Sequence, residues 1–300
     1  MKIAVTGAFT YSGKYITRRL LARGEEVISL TGHPDRPDPF GAQVQKFALN
    51  FQDPQALRDA LRGVETFFNT YWVRFDQGRN TQPRAVENTR VLVRAAADAG
   101  VRRIVHISIT NPSADSPLPY FWGKAANEKT VTESGMSYAI LRPTVLFGGE
   151  DILINNIAWL LRHFPFFALP GDGLYRLQPV FVEDMADLAI EGAYASENII
   201  WDAVGPETYT FRELVELIGH MIGHPRMLLQ VPPRLALVAS QLIGLLVRDV
   251  VLTPEEVVGL MAKLLISNDR PRCPTRLSEW LAAHREAVGA RYASELQRHY

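Results

Sequence analysis

A short turn between an apolar run and a helical pattern, near the beginning of the chain, constrains the fold more than any other feature. Residues 3–5 are typical of a buried strand, Gly7 and Gly13 bracket the turn, and apolar residues recur on one helical face through 16–21. A second apolar run over residues 27–30 completes a strand–helix–strand unit. The helix N-terminus in such a unit can bind a pyrophosphate, so the turn predicts a dinucleotide site.

The glycine pattern of this turn is incomplete. Thr10 stands where the middle glycine of a TGxxGxxG turn lets the backbone approach the phosphates, although its hydroxyl could instead donate to a phosphate oxygen. Tyr11 is assigned to the cofactor site with this loop. A P-loop is excluded, because five residues rather than four separate Gly7 from Gly13 and because Tyr15 replaces the magnesium-binding Ser or Thr. The alternative is a strand–turn–helix that binds no ligand.

Charged residues after the second strand bear on which dinucleotide is bound. A NAD site usually carries Asp or Glu at the end of this strand to bind the ribose diol, whereas residues 30–33 here include Thr31 but no carboxylate. Lys14, His33 and Arg36 are close to this point in the sequence and could contact a 2′-phosphate. We therefore expect NADP to be preferred over NAD. The alternative is that Lys14 and Arg36 are solvated surface charges.

The composition limits the class of protein. The 32 basic and 32 acidic residues balance, which argues against a nucleic-acid-binding protein with a basic stripe. Cys273 is the only cysteine, which excludes an internal disulfide, and no signal peptide is found, so we expect a cytoplasmic protein. No apolar run reaches the roughly 18 residues of a membrane span. The nearest run, 235–247, is predicted to be a buried helix rather than a peripheral membrane contact.

Strand-like and helix-like segments alternate through the first half of the chain. The alternation predicts a doubly wound α/β fold of the Rossmann type, with a parallel sheet in the order 3-2-1-4-5-6 and helices on both faces. In the second half, helical patterns and proline-containing joints dominate. We expect a dinucleotide-binding domain at 1–150 with 176–206, and a smaller helical substrate domain at 151–175 with 207–300. Residues 180–182 and 200–204 are predicted to rejoin the large sheet.

A tyrosine and a lysine four residues apart follow the strand predicted at 103–107. Tyr120 and Lys124 would share one face of a helix, and the ammonium would lower the pKa of the phenol by stabilising phenolate. A phenol tuned in this way can exchange a proton with a carbinol oxygen while a nicotinamide exchanges a hydride. The alternative is a surface tyrosine beside a surface lysine.

Three strings in this order, VTGAFTYSG, YFWGK and AILRPTVLFG, resemble the short-chain dehydrogenase/reductase family in its extended or atypical, epimerase-like branch. The segment FPFFALPGDGLYRLQPVFVEDMADLA narrows the resemblance to the group around the nucleotide-binding accessory subunit of respiratory complex I and its bacterial relatives. The stretch TRLSEWLAAH also looks like the bacterial members, so the resemblance spans nearly the whole chain.

The resemblance implies a role for each matching position. Tyr120 would be the catalytic acid/base, and Lys124 would bind the nicotinamide ribose and tune the phenol. The other positions implied at the cofactor are Gly7 and Gly13 at the pyrophosphate, Asn50 near the adenine, Asn69 beside the cofactor and Pro143 before the nicotinamide loop.

Two departures weaken an assignment to the sugar-nucleotide epimerases and leave a non-catalytic binding protein open. The family has Ser or Thr at the end of the strand before the tyrosine, where this chain has Ile109. Ser108 and Thr110 flank this position, and strand alternation turns both the other way, although a deviation of the loop could bring back the Thr110 hydroxyl. Leu177 stands where sugar-nucleotide members have Arg, with Arg176 one residue earlier.

The substrate is not identified by any pattern. Tyr71 and Trp72 follow the fourth strand and either line a pocket or pack as ordinary aromatic side chains, and Asn155 and Arg176 are further candidates. The histidines show no paired metal spacing, so no metal is expected. The leading hypothesis is an NAD(P)-dependent oxidoreductase or epimerase-like enzyme acting on a carbonyl or carbinol of a small molecule. The alternatives are a non-catalytic NAD(P)(H)-binding subunit or redox sensor, and a membrane-associated scaffold.

Overall fold

The computed structural model describes residues 1–299. Strands and helices alternate through the first half: β1 Lys2–Thr6, α1 Tyr11–Ala22, β2 Glu26–Thr31, β3 Gln45–Ala48, α2 Pro54–Ala60, β4 Thr66–Asn69, α3 Gln82–Asp98, β5 Arg103–Ile107, α4 Pro119–Thr132 and β6 Ser137–Pro143. The second half contains β7 Val145–Phe147, α5 Leu153–His163, β8 Phe166–Pro170, β9 Arg176–Leu177, β10 Pro179–Phe181, α6 Val182–Tyr194, β11 Ile199–Ala203, β12 Tyr209–Thr210, α7 Phe211–Met221, β13 Met227–Val231, α8 Pro233–Val247, α9 Pro254–Met261, α10 Leu277–His284 and α11 Glu295–His299.

Seven parallel strands form the main sheet in the order β3-β2-β1-β4-β5-β6-β11. The first six strands have the predicted order, which confirms the doubly wound α/β fold. Ala4 of β1 lies opposite Ile28 of β2 and Phe67 of β4, and all three are fully buried, as expected of a parallel sheet covered on both faces. The carboxyl ends of the strands share one edge, where such sheets bind their ligands.

The predicted return of residues 180–182 to this sheet is wrong, whereas the return near 200–204 is confirmed as β11. β10 pairs in parallel with β7 in a separate two-stranded sheet. The place beside β6 is already taken by β11, whose Ile199 lies opposite Ala139. The main sheet therefore has no free position next to β6 for β10.

The chain forms two compact units. The first comprises Met1–Pro143 and Glu183–Ala203, and the second comprises Thr144–Val182 and the residues from 204 onward. Residues 144–150, 176–182 and 204–206 lie in the second unit, whereas the sequence analysis placed them in the first domain. The division into separately folding domains stays a prediction.

The second unit has an apolar core of its own, in which α5, α7 and α10 bury residues such as Leu214 and Leu281.

The expectation of a buried helix over 235–247 is wrong in one respect. The segment is helical, as part of α8, but the buried residues of α8 are three small ones: Ala236, Ser240 and Gly244. Apolar composition predicts burial only when another element covers the helix. Among residues 1–299, no helix is long and apolar enough to cross a membrane.

Helix α1 packs directly onto the turn that follows β1, and Gly13 allows this close approach. A Cβ atom on Gly13 would lie 2.1 Å from the carbonyl oxygen of Gly7, far inside van der Waals contact. The obstacle is backbone rather than a flexible side chain. Any larger residue at position 13 would therefore push the helix away from the sheet.

We expect Gly13→Ala to lower the free energy of unfolding by about 1–3 kcal/mol, the usual cost of overpacking. The same change in an unhindered helix stabilises by roughly 0.5–1 kcal/mol, so the sign separates the two cases. Gly32→Ala is the control, because a Cβ there would meet nothing within 4 Å. Urea unfolding followed by circular dichroism measures both variants. A Gly13→Ala protein as stable as the wild type would contradict the close packing.

Candidate active site

The turn between β1 and α1 is held by its own hydrogen bonds. Gly7 has a φ of +61°, which suits glycine, and its N–H donates to the carbonyl of Leu30 on β2 at 2.9 Å. The Thr10 hydroxyl donates to the carbonyl of Gly7 at 2.7 Å. The hypothesis that this hydroxyl donates to a phosphate oxygen is therefore not supported, because its only proton is engaged within the turn.

The N-terminus of α1 presents backbone donors at the edge of the sheet where the strands end. Thr10 is the N-cap residue, but no side chain caps the helix and the first turn carries no acidic residue. Amides at such an end, together with the helix dipole, favour an anion. Tyr11 begins the helix, and the Lys14 ammonium lies 5.4 Å from the ring centroid of Tyr15. The turn therefore fits a pyrophosphate with a cation nearby.

Cationic side chains gather around the segment that follows β2. The N–H of Arg36 donates to the carbonyl of His33 at 3.2 Å, so both residues belong to one turn, and the Thr31 hydroxyl accepts the N–H of His33 at 3.0 Å. Lys46 of the neighbouring β3 donates to two carbonyls of this turn, one of them that of Arg36 at 3.2 Å. Asp35 is exposed in the same turn. The end of β2 thus carries three basic side chains beside one solvated carboxylate.

Asn50 and Asn69 fix the backbone at two other strand ends. The Oδ1 of Asn50 accepts the N–H of Gln52 at 3.0 Å, and the residue is exposed after β3. Asn69 is fully buried, with Oδ1 accepting the N–H of Tyr71 at 3.1 Å and Nδ2 lying 3.1 Å from Nδ1 of His106 on β5. The amide of Asn69 is therefore used within the sheet, whereas that of Asn50 is open to a ligand.

Trp72 lies among the aromatic and basic residues of α4. Its ring centroid is 5.7 Å from that of Tyr120 in an edge-to-face arrangement, and the Lys124 ammonium is 4.9 Å from the Trp72 ring. A Cβ atom on Gly123 would lie 2.5 Å from Cη2 of Trp72, so glycine is required to leave room for the indole. Tyr120 and Lys124 both lie on α4, as predicted. Tyr120, Gly123 and Lys124 of α4 therefore all pack around Trp72.

Lys124 is buried, although lysine side chains usually reach solvent. Its Nζ donates to the carbonyl of Ile107, at the end of β5, at 2.9 Å. Burial lowers the pKa of Lys124 to about 7, and the Glu128 carboxylate offsets part of this effect. Glu128 itself accepts two hydrogen bonds from Arg142 of β6, at 2.9 and 2.6 Å. The amine of Lys124 can therefore gain or lose a proton near neutral pH.

His106 is buried one residue before this carbonyl and is neutral. Burial, and to a smaller extent the charge of Lys124, lowers the pKa of His106 to about 3. Because the N–H of Tyr71 fixes Oδ1 of Asn69, the Asn69 amide nitrogen donates to Nδ1 of His106. The proton of the neutral ring is thereby assigned to Nε2. Within the described part of the chain, this Nε2 has no hydrogen-bond partner.

Three more buried polar groups close to Lys124 have no partner among residues 1–299. They are the Oγ of Ser108, directly after Ile107, the amide of Asn127, one helical turn after Lys124, and the Nε1 of Trp72, whose ring lies beside the Lys124 ammonium. Buried polar groups are nearly always hydrogen-bonded, so such groups mark a place for water or a ligand. The surroundings of Lys124 are therefore equipped to bind polar atoms that the chain itself does not supply.

The two hydroxyls that flank Ile109 have different surroundings. The Oγ1 of Thr110 lies 3.4 Å from Oδ2 of Asp202 on β11, and the N–H of Thr110 donates to the carbonyl of Pro143 at 3.0 Å. Thr110 is thus bound to the neighbouring strands. Ser108 keeps an unengaged hydroxyl beside the carbonyl that holds Lys124. Of the two hydroxyls, only that of Ser108 has no hydrogen-bond partner in the described part of the chain.

Tyr71 has structural partners in the first unit. Its ring packs on Phe51 with centroids 4.8 Å apart, and its hydroxyl accepts a hydrogen bond from Asn88 at 2.9 Å. Burial raises the pKa of Tyr71, so the phenol stays protonated. The interpretation of Tyr71 as a packed aromatic side chain therefore has more support than a role in proton exchange.

Asn155 and Arg176 belong to the second unit. Asn155 donates to the Asp151 carboxylate at 2.9 Å and accepts the N–H of Gly289 at 3.2 Å, so its amide braces this unit. Arg176 is exposed on β9, opposite Thr210 of β12. The structure gives neither residue a partner that points to a substrate.

The sequence analysis does not predict four residues of the site: Lys46, His106, Gly123 and Asn127. Two of them carry a signal, because His106 is a polar residue within the buried strand β5, and Gly123 stands in the middle of a helix, where glycine is unfavourable. Lys46 and Asn127 carry none, since their positions depend on strand pairing and on which helical face is covered. No group of His, Cys, Asp or Glu among residues 1–299 is arranged to hold a metal ion.

Comparison with known proteins places this site among nucleotide-binding folds. Residues 7–155 match the model of a family described as NAD(P)H-binding. The NADH dehydrogenase (ubiquinone) 1 alpha subcomplex subunit 9 of Arabidopsis thaliana mitochondria is 26% identical over 231 residues, which cover 73% of this chain and 57% of that protein. This chain therefore spans little more than half of that relative. A (4-alkanoyl-5-oxo-2,5-dihydrofuran-3-yl)methyl phosphate reductase of Streptomyces griseus is 28% identical, with 74% of each chain covered.

Two solved structures share the fold. The NADPH-dependent quinone oxidoreductase QOR2 of Escherichia coli, complexed with NADPH, has a TM-score of 0.76 and 21% identity, covering 94% of this chain and 99% of that one. MoeE5 in complex with UDP-glucose and NAD has a TM-score of 0.72 and 18% identity, covering 96% and 98%. At these identities the likeness establishes the fold. Together with the match over residues 7–155, it shows that the chain contains an NAD(P)H-binding domain with the Rossmann fold, the fold of the solved epimerase and reductase structures.

Proposed function

We propose that this protein is an NADP(H)-dependent oxidoreductase that acts on a carbonyl or carbinol group of a small molecule, with Tyr120 as its acid/base. The observation that carries the proposal is the buried amine of Lys124, which shares Trp72 with Tyr120 and has a pKa of about 7. A structural lysine has no need of such burial. The reductase from Streptomyces griseus and the quinone oxidoreductase from Escherichia coli support this class of chemistry.

Each group of the site has a separate task in this proposal. The nicotinamide, when bound, supplies or accepts the hydride. Tyr120 gives a proton to the substrate oxygen, or takes one from it. Lys124 holds the ribose and, as ammonium, stabilises the phenolate that remains. The unengaged hydroxyl of Ser108 takes the place of the family hydroxyl that Ile109 lacks.

The preference for NADP rests on charge at the end of β2. His33 and Arg36 belong to the turn there, Lys46 donates to its backbone, and the carboxylate that would bind a ribose diol at the strand end is absent. The related structures hold either cofactor, so they do not decide between the two. With Cys273 as its only cysteine, the chain can form no internal disulfide, which is in keeping with the reducing conditions of the cytoplasm.

A non-catalytic NAD(P)(H)-binding subunit is the second candidate function. Two observations favour it: the buried Ile109 at the position of the family hydroxyl, and the similarity to a complex I subunit. In such a protein the glycine turn and Lys124 still bind the dinucleotide, but Tyr120 has no proton to transfer. Removal of the Tyr120 hydroxyl therefore separates the two functions.

For the first test we expect Tyr120→Phe to lower turnover by about 10²- to 10⁴-fold and to leave the Kd for NADPH nearly unchanged, because the phenol transfers a proton and contributes little to binding. The loss of NADPH fluorescence with menadione and a panel of aldehydes and ketones measures turnover. Tyr138→Phe, a tyrosine of β6 in the same unit, is the control. Full activity in Tyr120→Phe would exclude the proposed mechanism.

We also expect Arg36→Ala to weaken NADPH binding by roughly tenfold or more, since a hydrogen bond to a charged group contributes about 1.5–3 kcal/mol. NADH, which lacks the 2′-phosphate, should bind this variant and the wild type alike. Arg94→Ala, which removes an exposed arginine of α3, is the control. Calorimetric titration of the three proteins with each cofactor gives six dissociation constants. Equal losses for both cofactors, or tighter binding of NADH by the wild type, would overturn the NADP preference.

The ionisation of Lys124 gives a test that needs no substrate. The unfolded lysine keeps its proton up to its ordinary pKa of 10.5, whereas the buried one loses it near pH 7. Between these values the unfolded chain binds more protons, so the free energy of unfolding rises with pH through this group. Below pH 7 both forms are protonated and the contribution to the slope disappears.

We therefore expect Lys124→Met to remove part of the rise in stability between pH 7 and about pH 9.5. Lys129→Met, at an exposed position of the same helix, should keep the wild-type slope. Urea unfolding of the cofactor-free proteins across this pH range makes the comparison. A Lys124→Met protein with an unchanged slope would show that Lys124 stays charged when folded.

A further inference from the structure

Helix α8 turns its largest apolar side chains away from the second unit. We define the outer face of α8 as five residues that are between 52% and 79% exposed: Leu235, Val238, Leu242, Leu245 and Leu246. The buried side of the same helix consists of Ala236, Ser240 and Gly244. A surface helix normally buries its large apolar residues and exposes its polar ones. In α8 the buried residues are small ones, five large apolar side chains are exposed, and the other large apolar side chains, Leu237, Ile243 and Val247, are half-buried.

The spacing of these residues makes one continuous surface. The other four residues follow Leu235 at intervals of three, seven, ten and eleven positions. Because successive helical residues are rotated by about 100°, all five side chains lie within about 100° of the helix circumference. Single exposed leucines are ordinary on a protein surface, but a contiguous apolar strip marks an interaction site. The outer face of α8 is therefore a candidate interaction surface.

The charged residues at the two ends of this face are both basic. Exposed Arg234 and Arg248 stand at the two ends of α8, and residues 217–248 contain no Asp or Glu. The next acidic residue, Asp249, is buried and accepts hydrogen bonds from the Tyr292 hydroxyl and from two backbone N–H groups. An apolar strip with a cation at each end complements a surface that is apolar inside and anionic outside.

We propose that the outer face of α8 docks the second unit onto an anionic phospholipid bilayer. The leucine and valine side chains enter the boundary between headgroups and acyl chains, and Arg234 and Arg248 pair with lipid phosphates. The 15 residues of α8 lie in the plane of the interface rather than across it. This inference is independent of the proposed reaction, because every residue that carries it belongs to the second unit.

A second copy of the chain is a poorer occupant of the same face. If two α8 helices paired in opposite directions, Arg234 of each copy would lie beside Arg248 of the other. If they paired in the same direction, each arginine would meet its own counterpart. Both arrangements place like charges together at the two ends of the contact, whereas lipid phosphates neutralise both ends.

Vesicle flotation tests the proposal on the full chain. The vesicles are phosphatidylcholine alone, or phosphatidylcholine with about one third phosphatidylglycerol. We expect the wild type to float with the anionic vesicles, and less so as salt rises. Leu242→Ser combined with Leu245→Ser should reduce binding at least tenfold, because it removes inserted apolar surface. Arg234→Gln combined with Arg248→Gln should reduce binding to anionic vesicles roughly tenfold or more.

The control variant carries Leu174→Ser and Ile200→Ser, which change two exposed apolar residues outside α8 and should leave flotation unchanged. Circular dichroism and thermal unfolding check that every variant is folded. We expect this result because the substituted side chains are exposed. The proposal is overturned if the wild type floats with neither vesicle, or if the control loses binding as much as the α8 variants do. It is equally overturned if light scattering shows a wild-type dimer that the leucine variant converts to a monomer.

Discussion

The hydrogen bond from the Lys124 amine to the carbonyl of Ile107 is the interaction on which the rest of the site depends. It fixes α4 against the carboxyl end of β5 and brings Tyr120 to the same helix face. Burial of a cationic side chain costs free energy, because the charge loses its hydration. The cost is smaller here because burial lowers the pKa of Lys124 to about 7, which makes the neutral amine accessible. The amine thus donates to a carbonyl and is not saturated by a carboxylate, since Glu128 is already engaged by Arg142.

The groups behind Lys124 suit a site that is completed by a ligand. His106 is kept neutral by burial and presents its Nε2–H without an acceptor in the described part of the chain, and Ser108 and Asn127 add further unengaged polar atoms. In a purely structural core such groups would be paired or replaced by apolar residues. Gly13 and Gly123 remove side chains where the backbone turn and Trp72 need the space. Glycine therefore makes room for a close contact both at the turn before α1 and within α4.

The sequence predicts the first unit well because its signals are local. Alternating patterns give the strands of the sheet and their order, and the spacing of Tyr120 and Lys124 gives their common helix. What depends on contacts between distant segments is not predictable in this way. The pairing of β10 with β7, the approach of Lys46 to the turn after β2, and the contact of His106 with Asn69 all arise from neighbours that lie far apart in the chain. Periodicity likewise finds α8 but does not say which of its faces is covered.

A crystal structure of the protein with bound NADPH tests the central claim most directly. We predict that the pyrophosphate lies on the N-terminus of α1 and that Lys124 Nζ is within hydrogen-bond distance of the nicotinamide ribose. The Tyr120 hydroxyl should face the open side of the nicotinamide ring. A nicotinamide ordered away from Tyr120, with Lys124 still bonded only to the carbonyl of Ile107, would contradict the account.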